Sequence, residues 1–183
     1  MAYLIVLVIL LGIFLLFILA YNKLVGLRNQ TENAWSQIDV QLKRRYDLIP
    51  NLVSSVKCYM KHEKGVLNRV TELRSRLITG NVNEKAKANN QFSNALKSIF
   101  AVAENYPKLQ ASKNFLNLQD ELSATENKIS YARQFYNDSV YSLNTAVESF
   151  PGNVIAGMFH FSKMEFFDLP DGDAAQGVPE VKF

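Results

Sequence analysis

The chain of 183 residues has one cysteine, two histidines, eight glycines and five prolines. A single thiol, Cys58, cannot form an intramolecular disulfide, so no cross-linked framework holds the fold, and such usage suits a reducing compartment. The net charge is only +3 and is dispersed, which leaves no clustered basic face for nucleic acid. Neither a G-x-S-x-G nucleophile turn nor a phosphate-binding loop occurs. Glycine and proline are sparse until the carboxyl-terminal part of the chain, a scarcity that favours long helices over short strands joined by turns.

Charge is missing altogether from residues 2–21, AYLIVLVILLGIFLLFILAY. A helix of that length is roughly 30 Å long, the thickness of a bilayer's hydrocarbon core. Its Leu, Ile, Val and Phe together favour insertion by roughly 5–9 kcal/mol. A cleaved signal peptide would begin with basic residues and end in small ones, whereas no Lys or Arg precedes this run and Ala20 is the one small residue at its end. A lipid-modified amino terminus is excluded because Cys58 lies far downstream. Residues 1–21 therefore read as an uncleaved transmembrane anchor. Lys23 and Arg28 come soon after the span, with Lys43, Arg44 and Arg45 beyond, so the amino terminus is expected outside and the remainder in the cytoplasm.

Beyond the anchor the chain divides into a helical region, residues 22–158, and a tail, residues 159–183, aromatic and then acidic. From Trp35, every seventh residue is Leu42, Ile49, Val56, Glu63, Val70 and Leu77; the interleaved row is Ile38, Arg45, Leu52, Tyr59, Val66 and Leu73. Two seams at alternating spacings of three and four predict a helix packed coiled-coil fashion on others, over residues 22–77, with Arg45 and Glu63 interrupting the seam. Pro50 lies inside this pattern. A kink is the expectation, since the register continues through it, and a break near Asp47 with a new helix capped there is the alternative. The sequence TGNVN at 79–83 reads as a loop with an N-cap, before a second helix over residues 84–106 that presents Phe92, Leu96, Ile99 and Ala103 on one face. Pro107 ends it. In a third long helix Phe115, Leu122, Ile129, Tyr136, Leu143 and Phe150 recur every seven residues beside a row of smaller ones, and Pro151-Gly152 stops it. One or two helical turns are expected over residues 154–158, then a weakly strand-like alternation of Phe159, Phe161 and Lys163. The final DLPDGDAAQGVPEVKF carries no regular pattern.

Several blocks of this sequence carry a resemblance. They are YNKLVGLRN, AWSQIDVQLKRRYDLIPNLVSSVKCYMKHE, AENYPKLQASKNFLNLQDELSATENKISYARQFYNDSV and FPGNVIAGMF, in that order between Tyr21 and Phe159. In these the chain resembles the LemA family of small bacterial membrane proteins. The resemblance implies an amino-terminal transmembrane helix leading into an antiparallel bundle of long helices, in the bacterial inner membrane. It implies no defined activity; an association with membrane proteases and envelope stress is its hint about partners.

Candidate chemistry is sparse. Cys58 and His62 stand four apart with Glu63 adjacent, a spacing that can offer two metal ligands. The second histidine of a zinc-protease helix is absent, however, because position 66 is Val, and His160 is the one other histidine. A packed cysteine beside a solvated His-Glu pair is the plainer reading, and neither a catalytic group nor a metal or cofactor site is assigned. Lys43, Arg44 and Arg45 sit about 33 Å along a straight helix beyond the anchor, outside the screening length of about 8 Å, so headgroup binding needs the helix to bend back. Arg45, on the seam, is expected to form a buried ion pair with Glu121 or Glu126 on a facing helix.

Interaction candidates are Tyr141, off the heptad row and hence on the surface, and the phenylalanines of MFHFSKMEFF, namely Phe159, Phe161, Phe166 and Phe167. Tyr131 is a further strip candidate, whereas Tyr136 continues the core row. The aromatic segment is expected to dock on its own bundle or on a neighbour's, with insertion at a membrane interface as the alternative.

The sequence thus predicts an all-α protein, a single transmembrane helix running straight into an antiparallel bundle of long coiled-coil-like helices. The expected function is that of a non-enzymatic scaffold that self-associates, with an adaptor or regulator of a membrane enzyme as the alternative. Its expected partners are the lipid bilayer, further copies of itself and another membrane protein, and not nucleic acid.

Overall fold

A computed structural model describes residues 1–60 and 63–167. His62 and the acidic end of the tail lie outside the described residues. All regular structure within them is helical: α1 (Ala2–Lys57), α2 (Lys64–Arg76), α3 (Val82–Ala103), α4 (Pro107–Gln110), α5 (Lys113–Glu148) and α6 (Gly152–Phe159).

The uncharged amino-terminal run and the first seam belong to one helix, α1, of 56 residues. No interruption separates the apolar stretch from the bundle. Pro50 neither ends nor reverses α1, which continues to Lys57. The proline is exposed, so water can serve the carbonyl that loses its donor.

The single helix expected over residues 22–77 is corrected by the structure. After Lys57 the chain turns, with the amides of Tyr59 and Met60 bonded back to the Val56 carbonyl at 3.0 and 2.9 Å. It then returns as α2, whose Arg74 guanidinium lies 3.9 Å from the centre of the Tyr46 ring on α1. The heptad count runs through this turn because no glycine or proline marks it. The failures of the seam do mark it. Tyr59 is 40% exposed, and Leu67, not the seam's Val66, is buried alongside Val70 and Leu73.

Gly80 adopts φ +109°, a left-handed conformation suited to glycine, and delivers the chain to Asn81. There a reciprocal capping box forms: the Glu84 amide donates to Asn81 Oδ1 and the Asn81 amide to Glu84 Oε2, both at 2.9 Å. Phe92, Leu96, Ile99 and Ala103 on α3 are buried. α3 ends at Ala103, three residues before the expected end, and Tyr106, which precedes a proline, lies outside helical geometry at φ −123° and ψ 80°. On α5, Phe115, Leu122, Ile129, Tyr136 and Leu143 are all buried, but the last member of that row, Phe150, is 83% exposed. The helix stops at Glu148, so the periodicity no longer sets the direction of that side chain.

The backbone divides into two compact units. The first comprises residues 1–36 and 134–165. In it the Trp35 and Tyr136 rings meet at a tilt, 5.6 Å between centres, and Leu24 packs with Ile155 and Ala156, flanked by Phe17, Ala20, Tyr21, Ala146, Val147 and Phe161. These contacts make α5 antiparallel to α1 here. Gly152 admits no side chain, since a Cβ would lie 2.0 Å from the Ala146 carbonyl oxygen; that approach sets the start of α6 against the end of α5. The second unit comprises residues 37–133 with Phe166 and Phe167. Its core gathers Ile38, Leu42, Ile49, Leu52 and Val56 from α1, with Phe92, Leu122 and Ile129 among the buried residues of α3 and α5. The strand-like alternation expected at 159–163 does not form: Phe159 closes α6, and His160 reverses the chain in the left-handed region at φ 58°.

Candidate functional site

The most polar feature buried within the second unit is built on Arg45. Its position on the apolar seam of α1 carries the guanidinium inward, leaving it 1% exposed. Arg45 Nη1 lies 2.5 Å from Glu126 Oε2 on α5 and donates to Asn89 Oδ1 at 2.6 Å and Ser93 Oγ at 3.1 Å on α3. Ser93 Oγ is in turn 3.1 and 3.3 Å from the two Glu126 carboxylate oxygens. The Phe92 ring centre is 4.8 Å from the guanidinium carbon, a cation–π contact. Burial pushes the Arg45 pKa down from its ordinary value, while the charge of Glu126 and its hydrogen bond push it back up. A guanidinium starts so far above neutrality that it stays charged at physiological pH. The cluster therefore pins three helices together.

Of the two carboxylates expected opposite Arg45, Glu126 is the partner; Glu121 is exposed and borders a shallow polar surface with Asn51, Ser54 and Asn114. Asn89, Ser93 and Lys85 are not among the residues expected from sequence. Their signal is an every-fourth polar row on α3, Lys85-Asn89-Ser93, whose first two members are buried. Lys85 pairs with Asp39 on α1.

Cys58 is exposed at the rim of an open groove lined by Val53, Lys57, Met60, Lys64 and Leu67. Among the described residues, no three His, Cys, Asp or Glu side chains converge as metal ligands would. Tyr131 and Tyr141 stand on the surface at 75% and 66% exposure. Tyr136 is core: its hydroxyl donates to the Glu165 carbonyl at 2.8 Å, and burial, then the charge of Glu165, raises its pKa.

The aromatic segment lies along its own helices. In the first unit, the Asn144 side chain grips Met164 twice, donating to its carbonyl and accepting from its amide at 2.9 Å each, and Lys163 pairs with Glu148 at 2.5 Å. The Phe159 ring meets Tyr21 at 4.8 Å and Phe17 at 6.0 Å, and Phe161 meets Tyr21 at 5.9 Å. In the second unit Phe167 is fully buried beneath the Arg133 guanidinium, 5.1 Å from the ring centre, whereas Phe166 is 46% exposed. A fully buried Phe167 is core, and the surface left by the other three phenylalanines is partial.

With this architecture in place, comparison with known proteins is decisive on family. The LemA family model matches residues 34–183. The chain belongs to the LemA family. It is 27% identical over 152 residues to Protein LemA of Metamycoplasma hominis, an alignment covering 82% of this chain and 69% of that protein. It is also 23% identical over 192 residues to Magnetosome protein MamQ 1 of Paramagnetospirillum magneticum, covering 90% of this chain and 71% of that protein. Magnetosome protein MamQ of Magnetospirillum gryphiswaldense is 22% identical over the same extent. As the LemA resemblance implied, an amino-terminal apolar segment leads into long helices. In α1 alone among the described helices is there a window long and apolar enough to cross a membrane, none of it buried against protein, and it anchors the chain to a membrane.

The burial of Arg45 and of Tyr136 each has a measurable outcome. Glu126 is 43% exposed at its side chain and Arg45 only 2%, so the two halves of the pair are not equivalent. Glu126→Leu strands a buried guanidinium and should cost about 3–5 kcal/mol, whereas Arg45→Met keeps the volume, leaves a carboxylate that reaches water, and should cost about 1–2 kcal/mol. Denaturant unfolding of the full chain in detergent compares them, and equal costs would contradict the asymmetry. For Tyr136, a raised folded-state pKa means that the fold favours the neutral phenol. Its contribution is whole below about pH 10 and falls as pH rises from there towards the raised value. The alkaline loss of stability should shrink in Tyr136→Phe; an unchanged pH profile would remove Tyr136 as its source.

Proposed function

We propose that this chain is a non-enzymatic, membrane-anchored helical scaffold that self-assembles at the bacterial inner membrane. The observation that carries this reading is the use made of its polar groups. Two buried cations are engaged by neighbouring helices, Arg45 with Glu126, Asn89 and Ser93, and Lys85 with Asp39, which fixes those helices in register. A site built for chemistry leaves such groups converging on an open pocket. A chain of this kind acts through the surfaces it presents, and an anchor confines its copies to two dimensions, which raises their effective concentration. That relatives matching over most of this chain are magnetosome proteins fits a part in a larger assembly. Lys23 and Arg28 just beyond the apolar run support an amino terminus outside and a cytoplasmic bundle.

The second reading is an adaptor that regulates a membrane enzyme such as a protease. Exposed Tyr141, an aromatic on the face of α5 that the core leaves free, supports it, since tyrosine is enriched where proteins meet. Extraction from the native membrane in mild detergent, then mass measurement of the intact particle, separates the two. A scaffold is expected as a homo-oligomer of several copies. A single copy bound to a stoichiometric foreign protein would replace the scaffold reading with the adaptor.

A further inference from the structure

The corner formed by the end of α5 and α6 has a surface that the bundle does not explain. One side of α6 is used: Ile155 and Ala156 are buried against Leu24. The opposite side and the turn before it are apolar and open. Phe150 is 83% exposed, Val154 53%, Met158 61% and Phe159 47%. No Asp, Glu, Lys or Arg occurs between Glu148 and Lys163, and these two bounding residues pair with each other at 2.5 Å.

The position of this corner along α1 decides what covers it. α6 runs antiparallel to α1, with Ile155 and Ala156 beside Leu24 and Phe159 beside Tyr21 and Phe17. Phe17 and Tyr21 are the last turn of the apolar run. That run has only 20 residues in which to cross roughly 30 Å of hydrocarbon, so it cannot draw Phe17 out into water. The Phe159 ring, 4.8 Å from Tyr21 and 6.0 Å from Phe17, therefore lies at the level of this last turn. We infer that the α5–α6 corner is a second membrane contact, in which Phe150, Val154, Met158 and Phe159 enter the boundary between headgroups and acyl chains beside the base of the anchor. Interfacial helices lie at this level, some 5–10 Å into the boundary, with their polar side turned from lipid. Here the bundle takes the place of that polar side. Lipid is the occupant because the open face is continuous with the surface of the span, which already requires it. His160, in the left-handed conformation, turns the chain back at the deepest point, and Lys163 with Glu148 marks the return to water.

Nitroxide accessibility on the full chain tests this. With Cys58→Ser as background, single cysteines replace Phe150, Val154 or Met158, whose open faces keep the label clear of the core; Leu15→Cys serves as a lipid standard and Tyr141→Cys as an aqueous one. The labelled proteins are reconstituted in vesicles of phosphatidylcholine and phosphatidylglycerol. The ratio of collisions with oxygen to collisions with a water-soluble nickel chelate is expected to be several-fold higher at 150, 154 and 158 than at 141, approaching that at 15. A ratio equal to that at 141 would overturn the inference. So would protection from both reagents, whether with dipolar broadening that unlabelled protein dilutes away, which would mean a second copy on this face, or without it, which would mean that other protein covers the face.

Discussion

One helix must satisfy two solvents. α1 begins as a wholly apolar segment suited to hydrocarbon and ends as a core element of a helical bundle, without a break over 56 residues. Its backbone hydrogen bonds are internal throughout the span, as a membrane demands, so the change of environment is made entirely by side chains. Up to Leu19 no residue of the run is buried; from Leu24 onward buried positions recur at helical spacing, through Thr31, Ala34, Ile38, Leu42, Arg45 and Ile49 to Leu52 and Val56. Both compact units take their first helix from α1, and neither could form its core without it.

Burying Arg45 on that helix is a liability that the bundle turns to use. A lone guanidinium there would be costly, and the Glu126 carboxylate, Asn89 and Ser93 offset the cost only if α3 and α5 sit at the right height against α1. Apolar side chains tolerate sliding by a turn, whereas a charged fork does not. The pair thus selects one register among several that apolar packing alone would permit. Asn144 has the corresponding part for the segment after α6, where its amide fixes Met164 as a neighbouring strand would.

Much of this was legible in the residues themselves. The anchor, the N-cap within TGNVN, and the core row of α5 each arise from a period or a short-range motif, and the fold carries them. Arg45 was legible because a charge on an apolar seam has to find a partner. The reversal after Lys57 was not, since CYMKHE contains no turn residue and a seven-residue count passes through a turn if the register happens to survive. The partners of Arg45 on α3 were hidden for a different reason. Asn89 and Ser93 are ordinary polar residues until the helix is placed against α1, and their four-residue spacing then acquires a meaning. The direction of Phe150 likewise depends on where α5 stops, which lies at the limit of any sequence-based boundary.

Whether α1 is unbroken between lipid and bundle can be measured directly by backbone amide exchange. In full-length protein held in lipid nanodiscs, the amides of residues 22–35 are expected to exchange as slowly as those of the buried α1 residues beyond them. Exchange at the rate of an unfolded peptide anywhere in that stretch would reveal a flexible linker and contradict a helix shared by two solvents.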